Sequence, residues 1–456
     1  MNSRSSVEQL LSRQIPARLA VLLGALLLYG CASYEPAPAS YQPHLDRKVT
    51  KTNGLITASA ATLSREEAEK MFGVPLHKKG IQPVWVRLEN AETKQYYFLP
   101  ASLDANYYSP AEVAYLFRKA CRPKRNRQVA DFMDSKRIQL TVPPESAVEG
   151  FVFCSYDAGV KYVLIDLIGQ YEHRRLEFTV PVPGGHWDFE HVDFKNLYPG
   201  VEVKDCTLEE LPAVLRALPA TTTDKKGKGS GDPLNLVVVC KVGTAGLALL
   251  RQGWDPTEAL TVGTTFRLVR SFLLALIWRT SPVSSLYVFG RCQDFAMQKA
   301  RSTIHGRNHL RLWLAPFTCE GRLVFIGQIS RDIGLRFTTK APGWFTHKID
   351  PEVDEVREYL AQEMLISGSV DQIAWVGGVG EVPRDEPRGN LTGDPYYTDG
   401  ARVVLFLSEE WTSPDKVHLI DWLENVEPLK QQSEANVSQA DLKSKRERTA
   451  GVTAEP

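Results

Sequence analysis

Hydrophobic and polar positions divide the chain into two blocks with different patterns. Between residues 62 and 182, apolar side chains recur at every second position in short runs, as at Val84, Val86 and Leu88, and proline or glycine separates the runs. This period is typical of half-buried strands in an antiparallel sheet. From residue 233 onward, continuous apolar runs alternate with helical stripes. Because strands and helices mix without strict βαβ alternation, the pattern predicts an α+β protein with two domains.

The first block, residues 55–205, is predicted to be a β-sandwich with short helices. Ser64 opens one helix with a capping box, and Ser109 opens another just before a proline. The segment VPPESAVEGFVF at residues 142–153 resembles the paired strands of small extracellular immunoglobulin-like modules. The resemblance implies an immunoglobulin-like β-sandwich at the amino-terminal side and carries no activity with it.

The second block, residues 233–408, is predicted to be a mixed α/β domain with a mainly antiparallel sheet. Residues 234–240 are almost continuously apolar, as expected of a strand buried on both faces. Helices are predicted at residues 244–251, at residues 264–277 and at residues 351–365, where Asp350 is the predicted cap.

Three polar segments are predicted to connect or end these domains. Residues 31–54 carry several prolines and no core pattern, which predicts a flexible tether. Residues 219–232, PATTTDKKGKGSGD, hold no large apolar residue and are predicted to be the inter-domain linker. Residues 409–456 are predicted to form a short helix followed by a disordered, charged tail.

An apolar run near the amino terminus predicts an export signal. Residues 19–30, LAVLLGALLLYG, follow Arg18 and are too few to cross a bilayer, which takes about 20 apolar residues. The run ends in LYGC, which resembles the lipobox of bacterial lipoproteins. The resemblance implies that residues 1–30 are a signal peptide and that Cys31 carries lipid such as palmitate. Because Ala32 follows, it also implies an outer-membrane lipoprotein that faces the periplasm. An uncleaved anchor is the alternative.

Net charge, cysteine count and sequence motifs limit the ligands, disulfides and catalytic mechanisms that are expected. Lysine plus arginine and aspartate plus glutamate number 54 each, so no net field attracts nucleic acid. Six cysteines besides Cys31 permit up to three disulfides in an oxidising compartment, in fifteen pairings. Cys154 and Cys240 lie in apolar strand runs and are predicted to be free thiols. The chain has no GxSxG, P-loop or HExxH motif, and we predict no cofactor.

Six segments of the second block resemble one family. In order, they are DPLNLVVVCKVG, LLRQGWDP, SPVSSLYVFGRCQDFAMQK, HGRNHLRLWLAP, THKIDPEVDEVRE and YYTDGARVVLFL. Together they resemble the LssY carboxy-terminal domain family across about residues 232–407. The family supplies no settled activity, and the resemblance implies no more than a role in the envelope or in lipid biology.

One strand carries the candidate site. In residues 308–314, the period of two places His309, Arg311 and Trp313 on one face. A guanidinium and an aromatic plane in a row suit an anionic group such as phosphate or carboxylate. His347, just before the helix amino terminus at Asp350, is predicted to join them, since unpaired N–H groups there favour an anion. The alternative is an ordinary solvent-facing side of the sheet.

A second cluster is predicted not to bind metal. His186, Glu190, His191 and Asp193 are all of ligand type, but no helix is indicated that would place the two histidines on one face. The segment is therefore interpreted as a polar inter-domain loop, and no metal site is predicted.

These observations predict a lipid-anchored envelope protein that binds a small anionic ligand or an envelope protein, without established catalysis. Two alternatives stay open. One is an envelope hydrolase for a phosphate-bearing or lipid substrate, using His309 and His347 with Asp332 or Asp350. The other is an assembly or scaffold factor, in which the sandwich docks another envelope protein.

Overall fold

A computed structural model describes residues 34–185, 192–194, 196–257, 283–300, 306–337 and 345–422, without the side chains of residues 335–337 and 345–347. The chain divides into two compact units, Met1–Asp157 with Val163–Gly184, and Ala158–Tyr162 with Gly185–Pro456. Strands dominate both units, and helices pack on the sheets. The α+β prediction is therefore confirmed.

Two four-stranded sheets build the first unit. Their strands are β1 (Val49–Thr52), β2 (Ile56–Thr62), β3 (Ile81–Asn90), β4 (Tyr96–Phe98), β5 (Thr141–Val142), β6 (Ser146–Ser155), β7 (Val160–Gly169) and β8 (Glu172–Pro181). The strand orders are β1-β2-β3-β6 and β5-β4-β7-β8. One hydrophobic cluster draws on both sheets, with Val86 from one and Ile165 from the other. The unit is thus a two-layer β structure, and its immunoglobulin-like character stays a prediction.

Helices cover the other face of the first sheet. They are α1 (Arg65–Phe72), α3 (Pro110–Leu116) and α4 (Pro123–Lys136), whereas α2 (Pro100–Leu103) contributes Leu103 to the cluster between the two sheets. The capping box predicted at Ser64 is confirmed, because its side chain accepts from Glu67 N at 3.1 Å. Ser109 likewise caps α3. Phe72 and Met133 from the helices pack with Phe151 from the sheet in a second cluster.

The prediction of a flexible tether up to residue 54 is wrong for residues 34–54. They form a 3₁₀ helix (Pro43–Arg47) and strand β1, which pairs with β2. The reason is burial of aromatic surface: Tyr34 packs on the helical cluster and donates to Phe72 O at 2.9 Å. His44 is also buried. Residues 31–33 lie outside the described residues.

The second unit is built on a ten-stranded sheet. The strands of this unit are β9 (Lys204–Cys206), β10 (Thr221–Thr223), β11 (Ser230–Pro233), β12 (Leu236–Cys240), β13 (Asp255–Pro256), β14 (Tyr287–Val288), β15 (Arg291–Cys292), β16 (Phe295–Ala300), β17 (Arg307–Cys319), β18 (Arg322–Phe337), β19 (Phe345–Ile349), β20 (Val370–Val376), β21 (Arg388–Gly389), β22 (Pro395–Tyr396), β23 (Arg402–Leu407) and β24 (His418–Leu419). The large sheet runs β13-β16-β17-β18-β12-β23-β20-β24, with β9 beside β17 and β19 beside β18. Most pairs are antiparallel, as predicted.

Both faces of the large sheet are covered, as the side chains of strand β12 show. Leu236 and Val238 face a cluster that includes the helices α6 (Thr244–Arg251) and α7 (Val353–Ile366). Val237 and Val239 face the opposite cluster, which includes α5 (Leu211–Arg216). Every residue of β12 is buried, so the predicted two-sided burial is confirmed. The predicted helix at residues 244–251 is confirmed as well.

A buried arginine ties α5 to the sheet. Arg402, at the start of β23, donates from Nε to Leu234 O at 2.9 Å and from Nη2 to Pro219 O at 2.6 Å. It also donates to the carbonyl of Leu215, in α5. Burial lowers its pKa to about 10, so the guanidinium is charged at neutral pH. The sequence pattern did not predict these hydrogen bonds of Arg402.

The predicted linker at residues 219–232 is wrong, because these residues form a hairpin inside the second unit. Strand β10 pairs with β11, and β10 also pairs with β14. Asp224 builds the turn: its Oδ1 accepts from Lys226 N at 2.9 Å and from Lys228 N at 3.0 Å. Threonine is a strand former, and Thr222 is fully buried. The lack of large apolar side chains therefore reflected a tight turn and not a linker.

Two further predicted helices differ from the structure, and two predicted segments lie outside the described residues. Helix α7 begins at Val353 and not at residue 351, and Asp350 accepts from Glu352 N at 3.1 Å. The short helix predicted after residue 409 is a 3₁₀ turn (Pro414–Lys416), and β24 follows it. The helix predicted at residues 264–277 and the tail from residue 423 lie outside the described residues.

Candidate functional site

Polar side chains share one face of the large sheet on β16, β17 and β18. Gln298, His309 and Ser330 face one another across the three strands and form one row. In the next row, Arg311 and Gln328 face one another across β17 and β18. Cross-strand partners project to the same side of a sheet, so these five side chains lie together. We call them, with Asp332, the polar face.

His309 is bonded to an aspartate. Its Nε2 lies 2.6 Å from Oδ2 of Asp332, and both side chains are buried. Burial lowers the pKa of His309, and the negative charge of Asp332 partly opposes that shift. The ring is therefore neutral at pH 7. A carboxylate only accepts hydrogen bonds, so the proton of the neutral ring lies on Nε2.

Arg311 fixes the orientation of Gln328. Its Nη1 donates to Oε1 of Gln328 at 2.9 Å, and its Nη2 donates to Ser284 O at 3.2 Å. Because Oε1 faces the guanidinium, Nε2 of Gln328 points elsewhere. This amide nitrogen is buried and has no hydrogen-bond partner among the residues that the structure describes, and the residue is 0% exposed. Leaving a buried donor unpaired costs about 1–3 kcal/mol, so an acceptor placed there is stabilised.

Further charged groups lie next to the polar face. Asp232 is buried, which raises its pKa and favours its protonated form, although Asn390 Nδ2 donates to it at 2.8 Å. The charge of Arg311 acts on Asp232 as well. Arg307 donates from Nη1 to Gln298 Oε1 at 3.2 Å, and burial lowers its pKa. A concentration of buried ionisable groups with shifted pKa values is typical of functional sites.

The alternative of a solvent-facing sheet side is wrong. His309 is 7% exposed, Arg311 is 6% exposed and Trp313 is 0% exposed. Trp313 shares the predicted face but packs in a hydrophobic cluster with Leu286, and its Nε1 donates to Arg291 O at 3.4 Å. Trp313 is therefore a core residue at the edge of the polar face, and the prediction of an aromatic binding plane is corrected.

The strand register does not bring His347 to this row. On β19, His347 faces Leu335 of β18, whereas His309 faces Ser330, five residues earlier on the same strand. At about 3.3 Å per residue, this separates the two positions by roughly 16 Å along β18. The side chain of His347 lies outside the described residues. His309 and Arg311 lie on the same face of the sheet, but the register separates His347 from them.

An open groove of about 880 Å³ lies at the amino end of α7. Its carboxylates serve an internal network. Arg357 is buried and donates to Asp399 Oδ1 at 2.8 Å, to Asp354 Oδ1 at 3.0 Å and to Glu358 Oε1 at 2.8 Å. Burial raises the pKa of Asp354, and the hydrogen bond from Arg357 lowers that of Asp399 despite burial. These contacts hold the loop before β23 to α7.

The polar cluster predicted not to bind metal is described only in part. His186, Glu190 and His191 lie outside the described residues, whereas Asp193 is described and its Oδ2 accepts from Asn196 Nδ2 at 3.0 Å. Within the parts of the chain that the structure describes, no group of three histidine, cysteine or acidic residues is placed to hold a metal ion.

Sequence comparison identifies a domain within the second unit. A family model described as the LssY C-terminus matches residues 213–401, a range that contains the whole polar face. The second unit therefore contains an LssY C-terminal-like domain, as the six segments predicted. A search of curated proteins found no match. None of the helices within the described ranges is long and apolar enough to cross a membrane.

Proposed function

We propose that this protein is an exported, lipid-anchored protein of the outer membrane whose LssY C-terminal-like domain binds a small anionic ligand at the polar face. The anchor is supported by the apolar run at residues 19–30 and by Cys31 in LYGC. The ligand class is supported by the donors of the polar face. The proposal includes neither a cofactor nor a nucleic-acid partner.

The observation that carries the ligand class is the unpaired amide nitrogen of Gln328 beside Arg311. An anionic oxygen accepts from both groups at once, and it satisfies the buried Nε2 donor. Phosphate and carboxylate suit a guanidinium because their oxygens match its planar fork of donors. The ligand is therefore a small phosphate or carboxylate, or a larger molecule that presents such a group.

His309 couples this binding to protons. In the free protein, burial keeps the ring neutral. An anion nearby favours the imidazolium form, whose second N–H also becomes a donor. Binding then takes up a proton, so affinity increases as the pH falls from 7.5 towards 6. Asp332 holds the ring in place through both protonation states.

Calorimetric titration of inorganic phosphate into the full chain, purified from membranes in detergent, tests the proposal. Gln328→Glu keeps the acceptor for Arg311 but replaces the free donor with a negative charge. We expect it to weaken phosphate binding at least tenfold, which corresponds to about 1.4 kcal/mol. Gln95→Glu makes the same change at an exposed position in the first unit and should bind like the original chain. Equal affinity in all three proteins would contradict the proposal.

Mass spectrometry of the membrane-bound protein tests the anchor separately. The expected amino terminus is a lipid-modified Cys31, with residues 1–30 removed. Cys31→Ser should stay unprocessed. An intact Met1 on the membrane-bound protein would contradict the lipoprotein proposal and leave the ligand site untouched.

A hydrolase is the second candidate, because His309 is hydrogen-bonded to Asp332 and faces Ser330 on the neighbouring strand. A histidine oriented by a carboxylate is the arrangement that general base catalysis uses. Release of p-nitrophenol from p-nitrophenyl phosphate, abolished by His309→Asn, would support it. Phosphate binding without turnover supports the binding protein.

A further inference from the structure

Two cysteines of the second unit lie directly opposite each other. Cys206 is the last residue of β9, and Cys319 is the last residue of β17; the two strands are parallel, and their register pairs these two positions. Both belong to the same hydrophobic cluster, with Cys206 9% exposed and Cys319 1% exposed. Their side chains therefore project to the same side of the sheet.

The spacing suits a covalent bond. Neighbouring strands lie about 4.8 Å apart, and the Cα atoms of disulfide-bonded cysteines are usually about 4.4–6.8 Å apart. The two thiols also interact directly, since each acts on the pKa of the other. The sequence alone left fifteen complete pairings of the six cysteines open, and the parallel register favours the three that contain this pair.

Hydrogen bonds hold the two strand ends together beside the cysteines. Oδ1 of Asp205 accepts from Thr318 Oγ1 at 2.7 Å and from Gly321 N at 3.0 Å. Glu320 N donates to Cys206 O at 3.1 Å. These contacts are next to the thiols on both strands, so the pair is positioned before any bond forms.

We propose that Cys206 and Cys319 form a disulfide in the exported protein, which fastens β9 to the edge of the LssY C-terminal-like domain. The oxidant is a disulfide-bearing oxidoreductase or a small disulfide of the compartment. One cysteine attacks that disulfide as the thiolate and forms a mixed disulfide; the second then displaces the oxidant's sulfur. Two thiols become one disulfide, and the oxidant leaves as a dithiol or as two thiols. The inference rests on the export part of the proposed function.

The environment of the thiols sets when the bond forms. Burial raises the pKa of Cys206 and raises that of Cys319 to about 12. Because only the thiolate reacts, the folded, reduced pair exchanges slowly. The bond therefore forms while β9 docks, and once formed it is protected from reductants.

Two other cysteines lie elsewhere. Cys154 is in the core between the two sheets of the first unit, and Cys240 faces α6 in the second unit. Neither shares a hydrophobic cluster with another cysteine, so the sequence prediction that both stay reduced also applies in the folded chain. They provide internal references for the assignment.

Peptide mapping of the full chain, isolated from membranes with thiols blocked by N-ethylmaleimide, is the first test. Trypsin releases Cys206 in residues 205–216 and Cys319 in residues 312–322. Without reductant, the two peptides should be linked, whereas the peptides with Cys154 and Cys240 carry the blocking group. Blocked Cys206 and Cys319 in a protein whose Cys31 is lipid-modified would overturn the disulfide and leave the anchor intact.

A thermal measurement supplies the second test and does not depend on export. The purified chain is refolded with oxidised and reduced glutathione, and melting is recorded with and without dithiothreitol. Dithiothreitol should lower the midpoint by roughly 5–10 °C. The shift should vanish in the variant with Cys206→Ser and Cys319→Ser and persist in Cys121→Ser. An unlinked pair after refolding, with no shift, would overturn the inference. A linked pair in a protein without lipid on Cys31 would uphold the pairing and contradict the anchor.

Discussion

Nη1 of Arg311 donates to Oε1 of Gln328 at 2.9 Å from the facing position on the next strand. The bond has two consequences. It pairs one donor of a buried guanidinium, and it leaves the amide nitrogen of Gln328 facing away from Arg311. The polar face therefore has a fixed, buried donor that the described chain does not satisfy.

Truncating the arginine should destabilise the fold. Arg311→Ala leaves Oε1 of Gln328 and the carbonyl of Ser284 without this donor inside the protein, so we expect a loss of about 2–4 kcal/mol in the free energy of unfolding. Urea denaturation measures it. Arg384→Ala, at an exposed position, should change stability by no more than about 0.5 kcal/mol. An unchanged urea midpoint for Arg311→Ala would show that the hydrogen bonds of Arg311 are not formed in solution.

The first unit should lose stability in mild acid through His44. This ring lies between Trp85 and Phe151, with centroid distances of 5.5 and 5.4 Å. Burial, helped by Arg47, lowers its pKa from 6.5 to about 4. The unfolded chain therefore takes up the proton first as the pH falls. Stability is fully present above pH 6.5 and is lost towards pH 4, by up to about 3 kcal/mol.

The matched variant for this prediction is His44→Phe, which keeps an aromatic ring against Trp85 and removes the titration. Chemical denaturation at pH 7, 5.5 and 4.5 should give a visibly flatter pH dependence for the variant than for the original chain. Identical slopes in the two proteins would assign the acid sensitivity to other groups.

Removing the buried guanidinium of Arg402 should unfold the second unit more easily. Arg402→Met leaves the carbonyls of Leu234, Pro219 and Leu215 without their donor, and we expect a loss of about 3–5 kcal/mol. Far-ultraviolet circular dichroism during urea denaturation reports it. The described hydrogen bonds of Arg402 all lie within the second unit, so the first unit serves as the internal control. Loss of less than about 1 kcal/mol would mean that water satisfies these carbonyls in solution.

The hairpin at residues 221–233 should resist protease while Asp224 holds its turn. Trypsin sites at Lys225, Lys226 and Lys228 lie in the turn, where backbone N–H groups donate to Asp224. Asp224→Ala should speed cleavage there several-fold, as followed by mass spectrometry of the fragments. Equally fast cleavage of both proteins would contradict the hairpin and indicate that residues 221–233 are an open linker.

Several features of the fold could be predicted because they depend on residues close in sequence. The capping box at Ser64 needs only a residue three positions on. The double burial of β12 follows from an uninterrupted apolar run. The shared face of His309 and Arg311 follows from the period of two. In each case the interaction that decides the structure is between residues close in sequence, so the sequence pattern is enough to predict it.

The features that could not be predicted depend on contacts between distant segments. The burial of Arg311 requires residues 283–286 to pass over the sheet, and the pairing of Cys206 with Cys319 requires a parallel register across more than a hundred residues. The linker error had the same origin: the neighbour that makes β10 a strand is β14, more than sixty residues away. The proximity of His347 to a helix start predicts a shared site, whereas the strand register sets its distance from His309.

The most direct test of an anion site at the polar face is an X-ray structure of the full chain with arsenate, a phosphate analogue whose position an anomalous difference map reveals. We predict a peak within hydrogen-bond reach, about 3–4 Å, of both Nε2 of Gln328 and the guanidinium of Arg311. The peak should disappear in Gln328→Glu and persist in Gln95→Glu. A map with no arsenate at the polar face, or with arsenate only at the protein surface, would contradict the account.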